Sequence, residues 1–391
     1  MTEAFLLSAV RTPIGALNGT LAEVAAPALG AVCIRTAVRR AGVSAADVSE
    51  VVMGNVVGAG VGQNPARPAG LGAGLPPAAG ATTVNKVCGS GLKAVMLAAG
   101  AIRLGEAAVV VAGGMESMSR APYLLPRARQ GYRMGNGELI DAVFRDGLTD
   151  AYSHEPMGVY ADRCAEACGL TRQEQDDYAV RSFTRARQAS AAGAFADEIV
   201  PVEVAHGKHT AQVIEDERPG QFDEARLRAL RPVFGPTGTV TAGNASSLND
   251  GAAALVVASA AACDRLGVAP LARIVGHATF SREPEWFGLA PVGAVLALLE
   301  RVGWPLATVD LFEINEAFAV VAYAAERELK IPPERLNIHG GAVALGHPIG
   351  CSGARILVTL LHALRRTGGK RGVAAACLGG GEAVALAVEM V

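Results

Sequence analysis

Val84-Asn85-Lys86-Val87-Cys88-Gly89-Ser90-Gly91-Leu92-Lys93 places a thiol where a strand-like apolar stretch breaks into a helix. The stretch that follows, Leu92 to Leu104, carries apolar residues on every face and only two charges, so it reads as a buried helix. Its positive N-terminal end would point at the sulfur and favour thiolate. A free cysteine can instead be a small buried hydrophobe with no chemistry. Two later segments weigh against that reading.

The first runs from Asn337 to Gly353 and sets His347 in a glycine-dense turn, just before another all-apolar helix that continues to about Leu364. Glycines of this kind let backbone approach a ligand closely. In the second, Ala374 to Gly381, a short apolar strand delivers Cys377 onto Gly379-Gly380-Gly381, whose amides are free to face a substrate oxygen. A cysteine, a histidine and a second cysteine at loop-facing ends of regular elements make the composition of nucleophilic acyl transfer, with a base to activate the thiol.

The chain has 391 residues, enough for two or three packed units, and with 51% hydrophobic and only 18% charged residues much of it must be buried. A net charge of -2, with no Lys/Arg cluster beside stacking aromatics, argues against a nucleic-acid partner. The apolar run Ala4 to Val10 is too short to span a membrane and lacks the start of a signal peptide, so it reads as a first strand. Seven scattered cysteines suit a reducing compartment, the cytoplasm, and neither their spacing nor that of the histidines matches a metal site.

The two ends of the chain repeat one plan. Val51 to Asn55 is echoed by Leu311 to Asn315, Ser90-Gly91-Leu92-Lys93 by Ser352-Gly353-Ala354-Arg355, and Val111 to Gly114 by Cys377 to Gly380, at an offset of about 260 residues. Each copy alternates short apolar strands with helical patterns, as in an α/β unit whose sheet is covered by helices. The two units would pack their most apolar helices together. Between them, from Ser119 to Thr241, charges cluster and long sheet-like runs disappear, which suggests an inserted loop domain. Within it, Thr171-Arg172-Gln173-Glu174 is a capping-box pattern opening a helix through Tyr178, Val180 and Phe183.

These segments resemble the signature regions of the thiolases. So do Gly113 to Ser119, Thr241 to Ser246 with Leu248-Asn249-Asp250-Gly251, and Asn315-Glu316-Ala317-Phe318, and the likeness runs from Ala9 to the C-terminus in the family's order. The resemblance implies a five-layered α-β-α-β-α fold of two similar halves plus a loop domain. Residues 1–118, completed by 242–268, would form the N-terminal half, 119–241 the loop domain over a coenzyme A site, and 269–391 the C-terminal half. It implies Cys88 as the nucleophile that becomes a thioester, His347 as the base that takes its proton, and Cys377 as the acid and base at the substrate α-carbon. A thiol suits that last task because its ordinary pKa of about 8.5 lies near working pH. Asn315 would hold a water that joins His347 in stabilising an enolate, and the amides of Cys88 and Gly379 would form a second oxyanion site.

For the coenzyme A contacts, Ser246 resembles the family serine beside the pantetheine, Met157 the methionine of its tunnel and Phe318 a wall of the acyl pocket, while Met157 reads equally as core. Leu148 and Arg218 are candidates for the adenine end, and Cys351 reads as packing. The implied activity is that of an acetyl-CoA C-acetyltransferase, with coenzyme A and acetyl-CoA as substrates, no permanently bound cofactor, and assembly as a homotetramer or a dimer. A degradative thiolase for longer 3-ketoacyl-CoA is the alternative, and a non-catalytic lipid-binding or scaffold protein a remote one. Pro156 stands where the biosynthetic members carry histidine, with His154 the nearest one, whereas Arg127 to Ile140 looks like their tetramer loop. Glu382 follows the three glycines, where an inward carboxylate would raise a neighbouring thiol pKa and an outward one would be harmless. Arg67-Pro68 replaces the family's arginine-glutamine pair.

Overall fold

A computed structural model describes residues 2–207 and 209–391. The first half runs through β1 (Ala4–Arg11), α1 (Ala26–Ala41), β2 (Glu50–Gly54), β3 (Gly80–Val84), α2 (Ser90–Leu104) and β4 (Val109–Ser117). A long excursion carrying α3 (Met157–Ala167) and α4 (Arg172–Ala191) precedes the half's last strand, β5 (Asn249–Ser259). The second half follows with β6 (Ala272–Ser281), α5 (Ala290–Val302), β7 (Leu311–Ile314), α6 (Ala319–Glu328), α7 (Ile349–Thr367), β8 (Arg371–Leu378) and β9 (Glu382–Met390). Every residue of β4 and β5 is buried, as expected for strands covered on both faces and written as near-continuous apolar runs.

The strands form one sheet in the order β7-β8-β9-β6-β1-β5-β4-β2-β3. Its centre is thin, since β1 meets β6 only at Phe5 with Arg273 and Leu6 with Ala272. On either side of that seam the pairings repeat: β1-β5-β4 and β6-β9-β8 are antiparallel, while β2 joins β4 and β7 joins β8 in parallel. The parallel partner β3 of the first half shrinks in the second to a single bridge between Phe312 and Leu336.

Three apolar clusters separate five layers. Leu29 and Ile34 of α1 pack on Val51, Val111 and Val256 on one outer face, and Val295 and Leu298 of α5 pack with Val373 and Ala385 on the other. Between the two halves of the sheet, Leu92 and Ile102 of α2 meet Ile356 and Leu360 of α7. The Ser-Gly pairs of the repeat mark the crossing of these two helices. A Cβ on Gly91 would stand 2.7 Å from the Ala354 nitrogen, and one on Gly353 would stand 2.5 Å from that of Leu92. No side chain fits between backbones so close.

Two helix expectations need correction. Far from being buried all round, α2 leaves Leu97 and Leu104 exposed. Nor is α7 all-apolar: Ser352, Arg355, Thr359 and His362, spaced three, four and three residues apart, lie on one helical face, and all four are buried. Lining up only at helical spacing, they are easily missed in a count of apolar residues.

Among the described residues, the excursion adds no strand to the main sheet. The Thr171 hydroxyl accepts from the Glu174 amide at 3.2 Å while the Thr171 amide donates to the Glu174 carboxylate at 2.8 Å, so the capping box forms as written. From there α4 sinks Tyr178, Phe183 and Ala186 into the outer core of the second half. Val202 and Val204, on a two-stranded ribbon, join the outer core of the first. Residues 125–139 project between short paired strands at Tyr123–Leu124 and Ile140–Asp141, with Met134 and Leu139 exposed.

Candidate active site

The turn between β3 and α2 is built by its own side chains. The Val87 amide donates to Asn85 Oδ1 at 3.0 Å, and Ser90 Oγ accepts from the Lys86 amide at 2.8 Å while donating to the Val87 carbonyl at 2.6 Å. Val87 is held at a φ of 45°, a left-handed conformation that disfavours a β-branched residue. The strained turn sets Cys88 just before the helix cap Gly89, where the nearby amides of Cys88 and Gly379 act to lower its thiol pKa. Burial nevertheless pushes the thiol up to about 12 against those two amides. The helix end favours thiolate but does not by itself supply it in the resting protein. Removing water from the sulfur outweighs the dipole.

His347 is fixed at three points. Its amide donates to Asn249 Oδ1 at 2.9 Å and to the Ser247 carbonyl at 3.3 Å, and its Nδ1 lies 2.5 Å from Ser352 Oγ. The Ser352 hydroxyl donates its one hydrogen to the Pro348 carbonyl at 2.9 Å. Ser352 must then accept from Nδ1–H, which leaves Nε2 unprotonated with its lone pair free. That Nε2 is buried with no partner among the described residues. Burial, and then the charge of Arg355, hold the imidazole down at about 3, so it is neutral. Cys88 and His347 thus form a neutral thiol and a neutral base.

Cys377 ends β8 and is wholly buried; burial first, then the proximity of Cys88 and Cys164, raises its thiol well above the ordinary value. Asn315 follows β7, anchored by its amide on the Ala375 carbonyl at 2.9 Å, and neither atom of its buried side-chain amide has a protein partner. Glu382 points outward, pairing with Lys86 and accepting from Ser281 Oγ at 3.1 Å. Partial burial pushes its carboxyl up, but the Lys86 ammonium outweighs that and holds it below the usual range. It does not disturb the thiols.

A small cavity of about 70 Å³ joins Cys88, His347 and Gly379 to Leu148, Met157, Ser246 and Phe318. Seven of the ten residues singled out from sequence therefore share one wall, and Asn315 and Cys377 lie buried outside it. Ser246 Oγ donates to the Ala317 carbonyl at 2.7 Å, and Phe318 meets Phe287 edge-on at 6.2 Å between centroids. Arg218 lies elsewhere, in a neighbouring open cavity of about 510 Å³ that also holds Arg226 and shares the wall residues Ser247 and Leu248. His154 is exposed and away from the pocket. Pro68 occupies the first turn of the short helix Ala66–Gly72, where an amide hydrogen would have no helical acceptor. The Arg67 guanidinium donates to the carbonyls of Pro77 and Ala79.

Three supporting residues escaped the sequence reading. Ser352 fixes the tautomer of His347, and its only signal is a hydroxyl five residues on. Asn249 clamps the His347 amide and also donates to the Gly15 carbonyl at 2.8 Å. Glu116, which burial pushes up to about 7, accepts from Asn55 Nδ2 at 2.7 Å and from the Gly350 amide at 2.8 Å, tying the start of α7 to the end of β2. All three lie in quoted motifs, but their partners are distant in sequence.

A duplicated α/β molecule that gathers a thiol, an unprotonated imidazole nitrogen and two nearby amides at one apolar pocket has the build of an enzyme that carries acyl groups on sulfur. Comparison with known proteins narrows this. Residues 4–261 match the family profile described as thiolase, N-terminal domain, and residues 268–390 that of the thiolase, C-terminal domain. Acetyl-CoA acetyltransferases of Schizosaccharomyces pombe and Cupriavidus necator are each 50% identical over 392 residues, covering 100% of this chain and 99% and 100% of theirs. The crystal structure of the Bacillus anthracis acetyl-CoA acetyltransferase superposes with a TM-score of 0.98 at 42% identity, covering 100% of this chain and 99% of that one. The Acat5 thiolase of Ascaris suum, solved in complex with coenzyme A, gives 0.94 at 41% identity, with 100% of both chains covered. The chain belongs to the thiolase family.

Proposed function

We propose that the protein is an acetyl-CoA C-acetyltransferase, joining two acetyl-CoA into acetoacetyl-CoA and coenzyme A reversibly through an acetyl-Cys88 thioester. The observation that carries this is the free Nε2 of His347 sharing one pocket with Cys88 and Gly379. His347 takes the Cys88 proton as the sulfur attacks the first thioester, and the amides of Cys88 and Gly379 stabilise the tetrahedral oxyanion. The departing coenzyme A thiolate takes the proton of Cys377, leaving that sulfur as a strong base.

A second acetyl-CoA then loses an α-proton to Cys377. Its enolate oxygen is stabilised by protonated His347 and by a water held on Asn315, and its carbon attacks acetyl-Cys88. Collapse releases the product, and His347 returns its proton to Cys88. All three groups end as they began.

Ser246, Met157 and Phe318 contact the pantetheine and acyl ends, with Leu148 on the same wall. Arg218, with Arg226, faces the phosphates and adenine in the outer cavity, and residues 119–241 act as the loop domain over this site, between halves at 1–118 with 242–268 and 269–391. The small apolar cavity at Cys88 favours a two-carbon acyl group. Pro156 and the displaced His154 favour the second reading, cleavage of longer 3-ketoacyl-CoA. The protein works in the cytoplasm as a homotetramer, in which the exposed 125–139 loop is the element free to join dimers. Incubation with acetyl-CoA followed by intact mass measurement tests the proposal: an acetyl adduct mapped to Cys88 is expected, and its absence would refute the mechanism. Thiolysis rates from acetoacetyl-CoA to long 3-ketoacyl-CoA decide between the two substrates.

A further inference from the structure

The buried polar face of α7 contains a group that no protein contact satisfies. Arg355 is 1% exposed, yet Nε, Nη1 and Nη2 all lack a hydrogen-bond partner. Across from it Glu313, 2% exposed, holds its Oε2 3.8 Å from Arg355 Nη1, beyond direct hydrogen bonding, and that oxygen too is unpartnered. One turn further along α7, Thr359 Oγ1 donates to Glu198 Oε1 at 3.2 Å, and the other oxygen of that wholly buried carboxylate is again free.

Five unsatisfied polar atoms on Arg355, Glu313 and Glu198 thus line one side of a single helix. Asn315 follows β7, two residues after Glu313, and both of its amide atoms are unpartnered among the described residues. At the other end of the row, Ser352 precedes Arg355 by one turn and holds His347. A guanidinium stripped of water and of hydrogen bonds is too costly to persist in a folded protein. Polar contacts slightly too long for direct bonding are the usual sign of bridging water.

We propose that Arg355, Glu313 and Glu198 hold a buried water cluster behind the catalytic pocket, and that Arg355, through these waters, is a positioning residue for the water presented by Asn315. The positioning role rests on the function proposed above; the water site does not. Arg355 donates to at least two waters, one shared with Glu313 and one passed towards Asn315, so that the amide of Asn315 is oriented from behind as Ser352 orients His347. Burial pushes Glu313 up to about 8, and a carboxyl that keeps its proton near neutral pH would donate into the same cluster.

The test has two arms. A crystal structure of the full-length wild-type protein at a resolution that defines ordered solvent should show well-ordered waters bonded to Arg355 and Glu313. A dry, direct Arg355–Glu313 pair, or a halide revealed by the anomalous signal of bromide-soaked crystals, would overturn the site whatever the enzyme's activity. In the second arm, Arg355→Met should lower kcat about tenfold with KM for acetoacetyl-CoA changed less than about twofold, and Arg355→Lys should recover most of the loss. Glu313→Gln, which keeps the volume and polar atoms facing the cluster, should retain the ordered waters in the crystal. A folded Arg355→Met with wild-type kcat, or a loss expressed wholly in KM, would overturn the positioning role. Should Arg355→Met not fold, Arg355→Lys carries the readout: wild-type solvent with most of the turnover retained is expected, and a collapsed, dry cavity with that same turnover would refute it.

Discussion

At Cys88 two opposing effects are resolved by magnitude. A helix end and two nearby amides favour the thiolate, yet desolvation of the part-buried sulfur pushes the thiol up to about 12. Iodoacetamide should therefore alkylate Cys88 in the free protein at a rate rising about tenfold per pH unit between pH 7 and 9, because only the thiolate reacts. A plateau below pH 8 would show an ion pair already formed. Cys88→Ser should abolish transferase activity while leaving the thermal transition within about 2 °C of wild type; near-normal turnover would remove the assigned role. His347, held down at about 3, binds fewer protons folded than unfolded between pH 3 and 6.5. Its contribution to stability is present above pH 6.5 and is lost as pH falls towards 3. A His347→Gln variant should accordingly show a shallower fall in Tm between pH 7 and 5 than the wild type. Glu382, which looked hazardous beside Cys377 in sequence, is spent on Lys86, and kcat of Glu382→Gln should stay within about twofold of wild type.

Among the elements, the contact that places the site is backbone against backbone. A Cβ on Gly114 in β4 would lie 2.0 Å from the Gly350 carbonyl at the start of α7. The first turn of α7, with His347 just before it, is thereby seated directly on the strand and latched by Glu116 to the Gly350 amide. Gly114→Ala should destabilise by about 1–3 kcal/mol through overpacking, seen as a lower urea midpoint with an unchanged slope. It should also weaken turnover, since the displaced turn carries the base. The capping box at Thr171 was readable from four adjacent letters because both of its hydrogen bonds are local. The polar face of α7 was less accessible. Ser352, Arg355, Thr359 and His362 meet partners on Pro348, β7 and the Glu198 turn, and on β1 through the Ala9 carbonyl, so most of their meaning lies in residues far away in sequence.

Across the whole molecule, the proposed site draws on both copies of the duplicated plan. Cys88 comes from the first half, while His347, Cys377 and Asn315 come from the second, and the halves are joined through a two-residue seam in the sheet and the crossing of α2 with α7. Val87–Leu104 is apolar and long enough to cross a membrane, but α2 lies in the middle layer against α7. The exposed segment from Leu125 to Leu139 belongs to this scale as well. If it joins dimers, replacing residues 127–136 by a short Gly-Ser link should reduce the mass seen by light scattering to that of a dimer while the acetyl-Cys88 adduct still forms. An unchanged mass would exclude the loop from assembly.

The sequence alone pointed to the duplicated α/β plan and to Cys88, His347 and Cys377 as candidate site residues, because periodicity, glycine punctuation and nucleophile-bearing turns are local signals, while Asn315 came from the family resemblance. Tertiary structure decided the protonation states, the outward turn of Glu382, the separation of Arg218 from the pocket and the tautomer that Ser352 imposes on His347. Each of these depends on how much water is excluded and on which distant atom arrives as a partner. Neither quantity exists until the two halves have packed.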